Sequence, residues 1–231
     1  MSVTERKEQN LFETGIVTSL VTKDDVVLDI GANVGYFTIL LAGIAYHVLG
    51  FEPSLNNYRK LEENTIHLDN ITLFNKAVSD TSKSNQDLYL CPLDNGMNRL
   101  YKSKWCEGGE IEKVETIAID DLIFSTPRNY ILFAYKVNFI KIDVEGFEYR
   151  VLMGMRKLLE RDHPTIMLEC HPPSIEEAGD SPRVLYELLK NEMGYQDPIN
   201  CFTNGTITSY DKLEENTRHT PAVNLLWKYN S

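Results

Sequence analysis

The chain alternates short apolar runs with stretches in which apolar residues recur at helical spacing. The runs are rich in valine, isoleucine and leucine, which is typical of buried strands in a parallel sheet. They lie after Val26, at 47–51, at 71–74, after Asn138 and within 163–171. Helical spacing is found at 5–20, from Tyr36, at 55–67 and from Phe147 to Leu158. This alternation predicts an α/β chain built around a parallel sheet.

The first apolar run leads into two glycines and then into a predicted helix. It reads Val-Val-Leu-Asp-Ile-Gly-Ala-Asn-Val-Gly-Tyr-Phe over residues 26–37. Gly31 and Gly35 lack Cβ atoms where the backbone must turn sharply and approach a ligand. The free N–H groups of the following helix favour an anion there. In S-adenosylmethionine that anion is the methionine carboxylate, and Asp29 is placed to take the ammonium group directly or through water.

This turn differs from the G-x-G-x-x-G turn of dinucleotide-binding proteins. The middle glycine of that motif lets the backbone approach a pyrophosphate, whereas this chain has Asn33 at that position. Glu52 ends the next strand, about 20 residues beyond the first glycine, where a carboxylate can accept both ribose hydroxyls. Together the two features favour S-adenosylmethionine over a dinucleotide.

A second group of polar residues follows the later apolar runs. Asp143 and Glu145 lie two apart after the run that begins at Asn138, and Glu169 and His171 lie two apart after the next. Residues two apart on a strand project to the same side, and doubly wound sheets bind ligands outside the carboxyl ends of their strands. The sequence therefore predicts three carboxylates and an imidazole in one small region.

These four residues are the candidate catalytic residues, because a hydroxyl that receives the methyl group of S-adenosylmethionine must be aligned with it and must lose its proton. His171 suits a general base, since the ordinary pKa of histidine is about 6.5. Glu145 or Glu169 would serve if like charges raise its pKa. Mg²⁺ held by Asp143, Glu145 and Glu169 is a less favoured alternative. In the structural alternative, Glu145 caps the next helix and His171 lies in a surface loop.

Composition and charge narrow the class of protein. The 231 residues are 42% hydrophobic and 25% charged, which suits one α/β domain over residues 1–231. The net charge of −11 argues against nucleic acid as the main partner. Four widely spaced cysteines predict free, buried or half-buried thiols rather than a metal site. Neither a signal peptide nor a membrane span is recognisable, so a cytoplasmic location is expected.

Several segments together resemble the FkbM-type S-adenosylmethionine-dependent methyltransferases. They are Asp-Ile-Gly-Ala-Asn-Val-Gly (29–35), Phe-Glu-Pro (51–53), Ala-Val-Ser-Asp (77–80), Ile-Lys-Ile-Asp-Val-Glu-Gly-Phe-Glu (140–148) and Pro-x-x-x-x-Glu (164–169). The resemblance implies a class I, Rossmann-like methyltransferase fold with seven strands, an antiparallel last strand and helices on both faces. It also implies O-methylation of a hydroxyl on a carbohydrate, or on a glycosylated or polyketide-like small molecule.

The resemblance places the adenine of the cofactor beside the segment that follows the third strand, at Asn75, Ala77 and Val78. The predicted cofactor contacts are Asp29, Gly31, Ala32, Asn33, Gly35, Tyr36, Thr38, Glu52, Pro53, Asn75, Ala77, Val78 and Asp143. After transfer the product would be S-adenosylhomocysteine.

Residues 85–118 break the alternation and predict short antiparallel strands. Such an insertion between the third and fourth parallel strands would form a flap over the acceptor side. Arg99 and Trp105 lie on it and are predicted to contact a sugar or another polar ring. In the alternative, Trp105 packs the flap against the core.

The ends of the chain give weaker predictions. Residues 1–22 predict an amphipathic helix that covers the sheet edge or part of the pocket. The apolar segment 130–135 could continue a helix, and 172–183 predict a loop. Closing strands are expected at 195–202, 206–210 and 224–229.

Two other functions remain open on the sequence. One is a non-catalytic adenosyl-binding or scaffold module, and the other is an NAD(P)-dependent oxidoreductase, which Asn33 and the lack of hydride-transfer partners disfavour. The expected partner is a small-molecule or glycan acceptor, with no nucleic acid and no membrane span. The oligomeric state is open.

Overall fold

The computed structural model describes residues 3–92, 94–124, 134–217 and 222–229, with the backbone only for residues 3–11 and Asn95. The described strands are β1 (Val26–Ile30), β2 (His47–Phe51), β3 (Ile71–Phe74), β4 (Ala77–Val78), β5 (Lys83–Tyr89), β6 (Ile111–Ile117), β7 (Val137–Ile142), β8 (Thr165–Cys170), β9 (Ile199–Asn200) and β10 (Val223–Trp227). The described helices are α1 (Val3–Leu20), α2 (Tyr36–Ala42), α3 (Leu55–Thr65), α4 (Ile119–Phe124), α5 (Glu148–Met153), α6 (Arg156–Asp162), α7 (Pro172–Glu177), α8 (Pro182–Glu187) and α9 (Tyr210–Thr217).

Seven strands form one sheet in the order β3-β2-β1-β7-β8-β10-β9. The first five in this order are parallel to one another, whereas β10 runs antiparallel to both β8 and β9. The class I methyltransferase fold predicted from the sequence is therefore confirmed. The chain order reverses between β1 and β7, so the carboxyl ends of these two strands border the expected ligand crevice.

The unbroken apolar runs are explained by helices on both faces of the sheet. All five residues of β1 are buried, and their side chains point alternately to the two faces. Val26 and Leu28 pack in one core cluster with residues of α4, α5, α6 and α8. Val27 packs in a second cluster with Val17 of α1 and Leu41 of α2. The N-terminal helix thus covers one face of the sheet.

The insertion forms a second, three-stranded sheet in the order β4-β6-β5. β5 and β6 are antiparallel, as predicted, while β4 pairs with β6 in parallel. A small cluster packs Leu88, Leu100 and Val114 against Ala77 of β4, the strand that follows β3. The insertion is therefore packed onto the segment predicted to border adenine.

Two predictions for the C-terminal half are wrong. Residues 172–177 form helix α7 rather than a loop, because Pro172 occupies its first turn, where proline is favoured. A strand at 206–210 is absent, since Thr206 makes only an isolated pairing with Ile199 and α9 begins at Tyr210. Within 195–202 only Ile199–Asn200 is a strand. The segment 130–135 lies mostly outside the described residues.

Two further findings concern the cysteines and the character of the helices. All four cysteines, Cys91, Cys106, Cys170 and Cys201, are free and buried, as the absence of metal spacing predicted. Among the described helices, none combines the length and the apolar character needed to cross a membrane.

Gly31 fixes how closely the turn after β1 approaches the turn after β7. Its φ is +85°, and a Cβ atom built on it would lie 1.8 Å from the carbonyl oxygen of Asp143. Its N–H donates a 3.0 Å hydrogen bond to the carbonyl of Phe51. The glycine therefore holds the ends of β1, β2 and β7 together.

Gly31→Ala should be much more destabilising than Gly108→Ala. Gly108 also has a positive φ, of +79°, but nothing lies within 4 Å of a Cβ placed there. Both variants incur the left-handed penalty of about 1–2 kcal/mol, and Gly31→Ala adds an overlap costing about 1–3 kcal/mol more. Urea denaturation measures both, and equal losses of stability would contradict the close approach.

Candidate active site

A cleft opens at the carboxyl ends of β1, β2 and β7, below the insertion. Backbone turns from the parallel sheet form one side of it, and the insertion forms the other. Its lining includes Ile30, Gly31, Asn33, Phe51, Glu52, Pro53, Asn57, Lys76, Ala77, Val78, Leu88, Gly96, Asn98, Leu100, Asp143, Val144 and Glu145. The cleft therefore lies at the switch in strand order, where α/β sheets bind ligands.

The predicted cofactor residues fall into two groups. Gly31, Asn33, Glu52, Pro53, Ala77, Val78 and Asp143 line the cleft, whereas Asp29, Ala32, Gly35, Tyr36, Thr38 and Asn75 do not. Residues of the second group support the first: the side-chain amide of Asn75 donates to the backbone carbonyls of Glu52 (3.0 Å) and Pro53 (2.9 Å). Tyr36 is half exposed, and its hydroxyl is 3.0 Å from that of Thr14 in α1.

The glycine turn adopts left-handed backbone conformations at Asn33 and Gly35, with φ values of +51° and +99°. The N–H of Gly35 bonds to the carbonyl of Ala32 at 2.9 Å, which closes the turn before α2 begins. A Cβ on Gly35 would lie 2.7 Å from a methyl carbon of Leu61 in α3. Close packing against backbone therefore requires Gly31, whereas the left-handed backbone favours glycine at position 35.

Asp29 lies under this turn and is fully buried. Its Oδ2 accepts a 2.6 Å hydrogen bond from the hydroxyl of Thr38, while Oδ1 has no partner among the described residues. Burial is the main cause of a raised pKa at Asp29, and the positive charge of Lys141 opposes it. A buried carboxylate oxygen without a partner is costly, so this position suits a donor group of a ligand.

Glu52 is 5% exposed and is held by the backbone around it. Its two carboxylate oxygens accept hydrogen bonds from the N–H groups of Asn33 and Ser54, each at 3.0 Å. Burial raises the pKa of Glu52 to about 7, against the lowering effect of those bonds. The side chain of Asn57 is also hydrogen-bonded to Glu52. A carboxylate has about four acceptor positions, so Glu52 retains capacity for a hydroxyl donor from the cleft.

The acidic cluster predicted from the strand ends is present. One oxygen from each of Asp143, Glu145 and Glu169 lies within 4.8 Å of the other two. Lys141 pairs with Asp143 at 2.9 Å, and Arg99 pairs with Glu145 at 3.0 Å. Oxygen ligands at this separation could hold a divalent cation, although each cation–carboxylate pair already neutralises part of the charge.

Crowding of these carboxyls changes their acidity. Burial, with the charge of Asp143, raises the pKa of Glu145 to about 8, and Arg99 opposes the shift. Burial and three neighbouring carboxylates raise the pKa of Glu169 well above its ordinary value. The side chain of Glu169 makes no hydrogen bond or ion pair with any described residue. Interacting carboxyls release their protons as a group, so the cluster can take up a proton near neutral pH.

Glu148 lies five residues beyond Asp143 in the chain and adds a fourth carboxyl. The sequence motif did not predict a functional role for it. It is 1% exposed, and one oxygen accepts a 3.0 Å hydrogen bond from the N–H of Gly146. Burial raises the pKa of Glu148 to about 7. Its charge also contributes to the raised pKa of Glu145 and of Glu169.

His171 lies between β8 and α7 and is partly buried. Its Nδ1 is hydrogen-bonded to the hydroxyl of Ser174, which also accepts a 3.1 Å bond from Arg99. Burial lowers the pKa of His171, and the charge of Arg99 adds to the effect. The imidazole is therefore neutral at pH 7, and Nε2 can accept a proton in the tautomer in which Nδ1–H donates to Ser174.

Of the two residues predicted to contact the acceptor, Arg99 is buried and Trp105 is exposed. The Arg99 side chain is fully buried and bonded to Glu145, Tyr101 and Ser174, so its guanidinium is enclosed by protein. Trp105 is 46% exposed and does not line the cleft, and its ring lies 5.6 Å from the Lys104 ammonium.

Sequence motifs did not mark several residues that shape this site. Gly96, Asn98 and Leu100 of the insertion line the cleft, and a Cβ on Gly96 would lie 3.1 Å from the amide nitrogen of Asn33. Lys141 is buried within an apolar strand. A lysine inside the otherwise apolar run 138–142 is a sequence signal that could have marked Lys141, because lysine is almost never fully buried unless it is paired.

Comparison with known proteins identifies the family of this chain. The family described as Methyltransferase FkbM domain matches residues 29–196, which is well over half of the chain. The chain belongs to this family. The FkbM match spans the glycine turn, Glu52, the acidic cluster and His171.

A curated relative is the hexuronic acid methyltransferase AglP of Haloferax volcanii, with 29% identity over 167 residues. That match covers 72% of this FkbM chain and 62% of the relative. The chain therefore aligns with less than two thirds of the relative's length.

Solved structures support the same fold. The FkbM methyltransferase from Methylobacillus flagellatus KT has a TM-score of 0.53 and 17% identity, over 90% of this chain and 44% of that one. A Streptococcus mutans protein crystallised in complex with SAH has a TM-score of 0.54 and 10% identity, over 95% of this chain and 97% of that one. At these identities the likeness concerns the fold alone.

Proposed function

We propose that this chain is an S-adenosylmethionine-dependent O-methyltransferase whose acceptor is a hydroxyl group of a carbohydrate. The observation that carries the proposal is the meeting of three features in one cleft: the glycine turn, the Glu52 carboxylate and the Asp143 and Glu145 carboxylates of the acidic cluster. Glu169 does not line the cleft but has an oxygen within 4.8 Å of those two carboxylates. Membership of the FkbM family supports methyl transfer. The hexuronic acid named for the relative supports a sugar acceptor.

The cleft residues, with Asp29 beneath the glycine turn, fit the chemical groups of the cofactor. Asp29 does not line the cleft, and its unpartnered Oδ1 suits the ammonium group through water. Glu52 has acceptor capacity left for the ribose, and Ala77 and Val78 offer an apolar wall for adenine. Asn33 occupies the position where a dinucleotide turn needs glycine, which disfavours the oxidoreductase alternative.

S-adenosylmethionine supplies a methyl carbon that is already activated by the positive charge on its sulfur. The protein must then orient an acceptor hydroxyl and remove its proton. In our proposal the carboxylate of Glu145 or of Glu169 takes this proton, because burial and neighbouring carboxylates raise the pKa of both. The side chain of Glu169 makes no hydrogen bond with a described residue. His171 is the second candidate, and its lowered pKa makes it the weaker base.

A non-catalytic adenosyl-binding module would retain the cleft but would not need the acidic cluster. Carboxyls forced together with raised pKa values reduce stability at neutral pH, because their ionised forms repel one another in the folded state. We infer that this cost is kept because the cluster has a chemical role.

The proposed activity is tested by incubating the protein with labelled methyl donor and a panel of acceptors. The panel contains neutral hexosides, hexuronides and a polyketide-type alcohol without a sugar. We expect label on the oxygen of a sugar hydroxyl. We also expect the same rate with EDTA as with added Mg²⁺, because Lys141 and Arg99 already pair with two of the three carboxylates. Label only on the non-sugar alcohol would overturn the acceptor class.

Glu52→Gln should weaken the binding of S-adenosylhomocysteine by about tenfold or more, since hydrogen bonds to a charged acceptor contribute about 1.5–3 kcal/mol. In the parent, affinity should rise with pH through about 7, because deprotonation of Glu52 provides the charged acceptor. Calorimetry from pH 6 to 8.5 measures both effects. Glu192→Gln, at an exposed ion pair with Arg156, is the control. Parental affinity in Glu52→Gln would remove the ribose assignment.

Glu145→Gln and Glu169→Gln should each lower kcat by about 10²-fold or more at saturating cofactor, as expected for loss of a general base. His171→Asn should lower it less. In the parent, kcat should rise with pH through about 8, since the base must be ionised to accept a proton. A slow His171→Asn beside two near-parental glutamine variants would instead identify the imidazole as the base.

A further inference from the structure

Arg99 lies between two residues that line the cleft but points away from it. Asn98 and Leu100 both border the cleft, whereas the Arg99 side chain is fully buried. The Arg99 backbone pairs with Tyr89 at the end of β5, through hydrogen bonds of 2.8 and 3.0 Å. The guanidinium is therefore anchored to the insertion and directed into the protein.

The guanidinium contacts three segments that are far apart in sequence. Within the insertion it donates to the hydroxyl of Tyr101 at 3.0 Å. After β7 it donates to Oε2 of Glu145 at 3.0 Å. In α7 it donates to the hydroxyl of Ser174 at 3.1 Å and lies 3.5 Å from the carboxylate of Glu177. Arginine suits this place because its planar fork can bond to several acceptors at once.

The three segments meet around a glycine with no room for a side chain. A Cβ on Gly146, whose φ is +105°, would lie 2.6 Å from the carbonyl oxygen of Ser174 and 2.8 Å from the hydroxyl of Tyr101. That hydroxyl donates to the backbone carbonyl of Glu145 at 2.9 Å. Glu145 itself has a φ of +58°, which is unfavourable for a residue with a side chain. Its unusual backbone is thus held by the insertion.

We propose that Arg99 is a positioning residue, which holds Oε2 of Glu145 and joins the insertion to the acidic cluster, so that Oε1 of Glu145 is left for the acceptor side. This rests on the proposed function, because it assigns a use to the Glu145 carboxylate. Arg99 then acts on the acceptor through Glu145 and not by contact with the sugar. The insertion is accordingly a fixed wall of the cleft, bound through a buried cation.

The positive charge of Arg99 should affect the pKa of Glu145, which would not be expected if Arg99 were merely structural. An opposite charge within hydrogen-bond distance favours the ionised carboxylate and lowers its pKa by about 1–3 units. Arg99 lowers the pKa of Glu145, which burial and Asp143 raise. Without the guanidinium the carboxyl should keep its proton to a higher pH, and the acid limb of kcat should move in the same direction.

The test compares Arg99→Gln and Arg99→Lys with Arg183→Gln, which alters an exposed ion pair with Asp211. Carbon-13 NMR of labelled glutamate carboxyls follows the titration of Glu145, assigned through Glu145→Gln. The pH profile of kcat is measured on the same proteins. In Arg99→Gln we expect both the Glu145 titration and the acid limb to move up by at least about one pH unit. Arg99→Lys should restore most of that shift, and Arg183→Gln should match the parent.

The two readouts separate the possible failures. A Glu145 titration that does not move in Arg99→Gln overturns the proposal, even if turnover falls, because an equal loss at every pH indicates only a structural role. If the Glu145 titration moves in Arg99→Gln but the parent methylates no acceptor, Arg99 remains the positioning residue for Glu145 and the proposed function is wrong. If Arg99→Gln does not fold, Arg99→Lys carries the test. Lysine keeps the charge but loses the planar fork, so we expect a near-parental acid limb with a lowered kcat. A parental kcat at every pH overturns the proposal.

Discussion

The close approach of the backbone at Gly31 to the carbonyl of Asp143 is the contact on which the candidate site depends. It brings the turn after β1, which faces the predicted cofactor, against the turn after β7, which starts the acidic cluster. The N–H of Asp143 also donates to the carbonyl of Ile30 at 3.0 Å, and Gly31 donates to Phe51 at the end of β2. Three strand ends are thus fixed relative to one another by backbone atoms alone. The positions of the side chains at this edge of the sheet follow from the fixed backbone and do not depend on the identity of the acceptor.

The second constraint is electrostatic. Asp29, Asp143, Glu145, Glu148 and Glu169 influence one another, while Lys141 and Arg99 are the cations that pair with two of them. A buried pair of opposite charges offsets only part of its desolvation cost, so the remaining carboxyls respond by holding protons more tightly. The same crowding that reduces stability makes the cluster a base that operates near neutral pH. This is also an environment in which the positive charge of a sulfonium cofactor would be favourable.

The local sequence was sufficient to predict where a residue lies wherever one feature of the backbone determined its position. Gly31, Glu52 and the acidic pairs follow strand ends, and parallel strands place their ends at a common edge, so their proximity could be predicted without a structure. The positions of Arg99 and α7 could not be predicted in this way. Arg99 is buried because Glu145, Ser174 and Glu177 surround it, and these partners lie 46 to 78 residues away in the chain. Helix α7 depends on Pro172 and on packing of Ile175 in the main core, which outweigh the loop-like appearance of two consecutive prolines.

The account is tested most directly by calorimetric titration of the unmodified protein with S-adenosylhomocysteine and, separately, with NAD⁺. It predicts saturable binding of S-adenosylhomocysteine with one site per chain and no heat of binding for NAD⁺ at the same concentrations. Binding of NAD⁺ in its place, or no binding of either compound, would contradict the assignment of the cleft to an adenosyl amino acid.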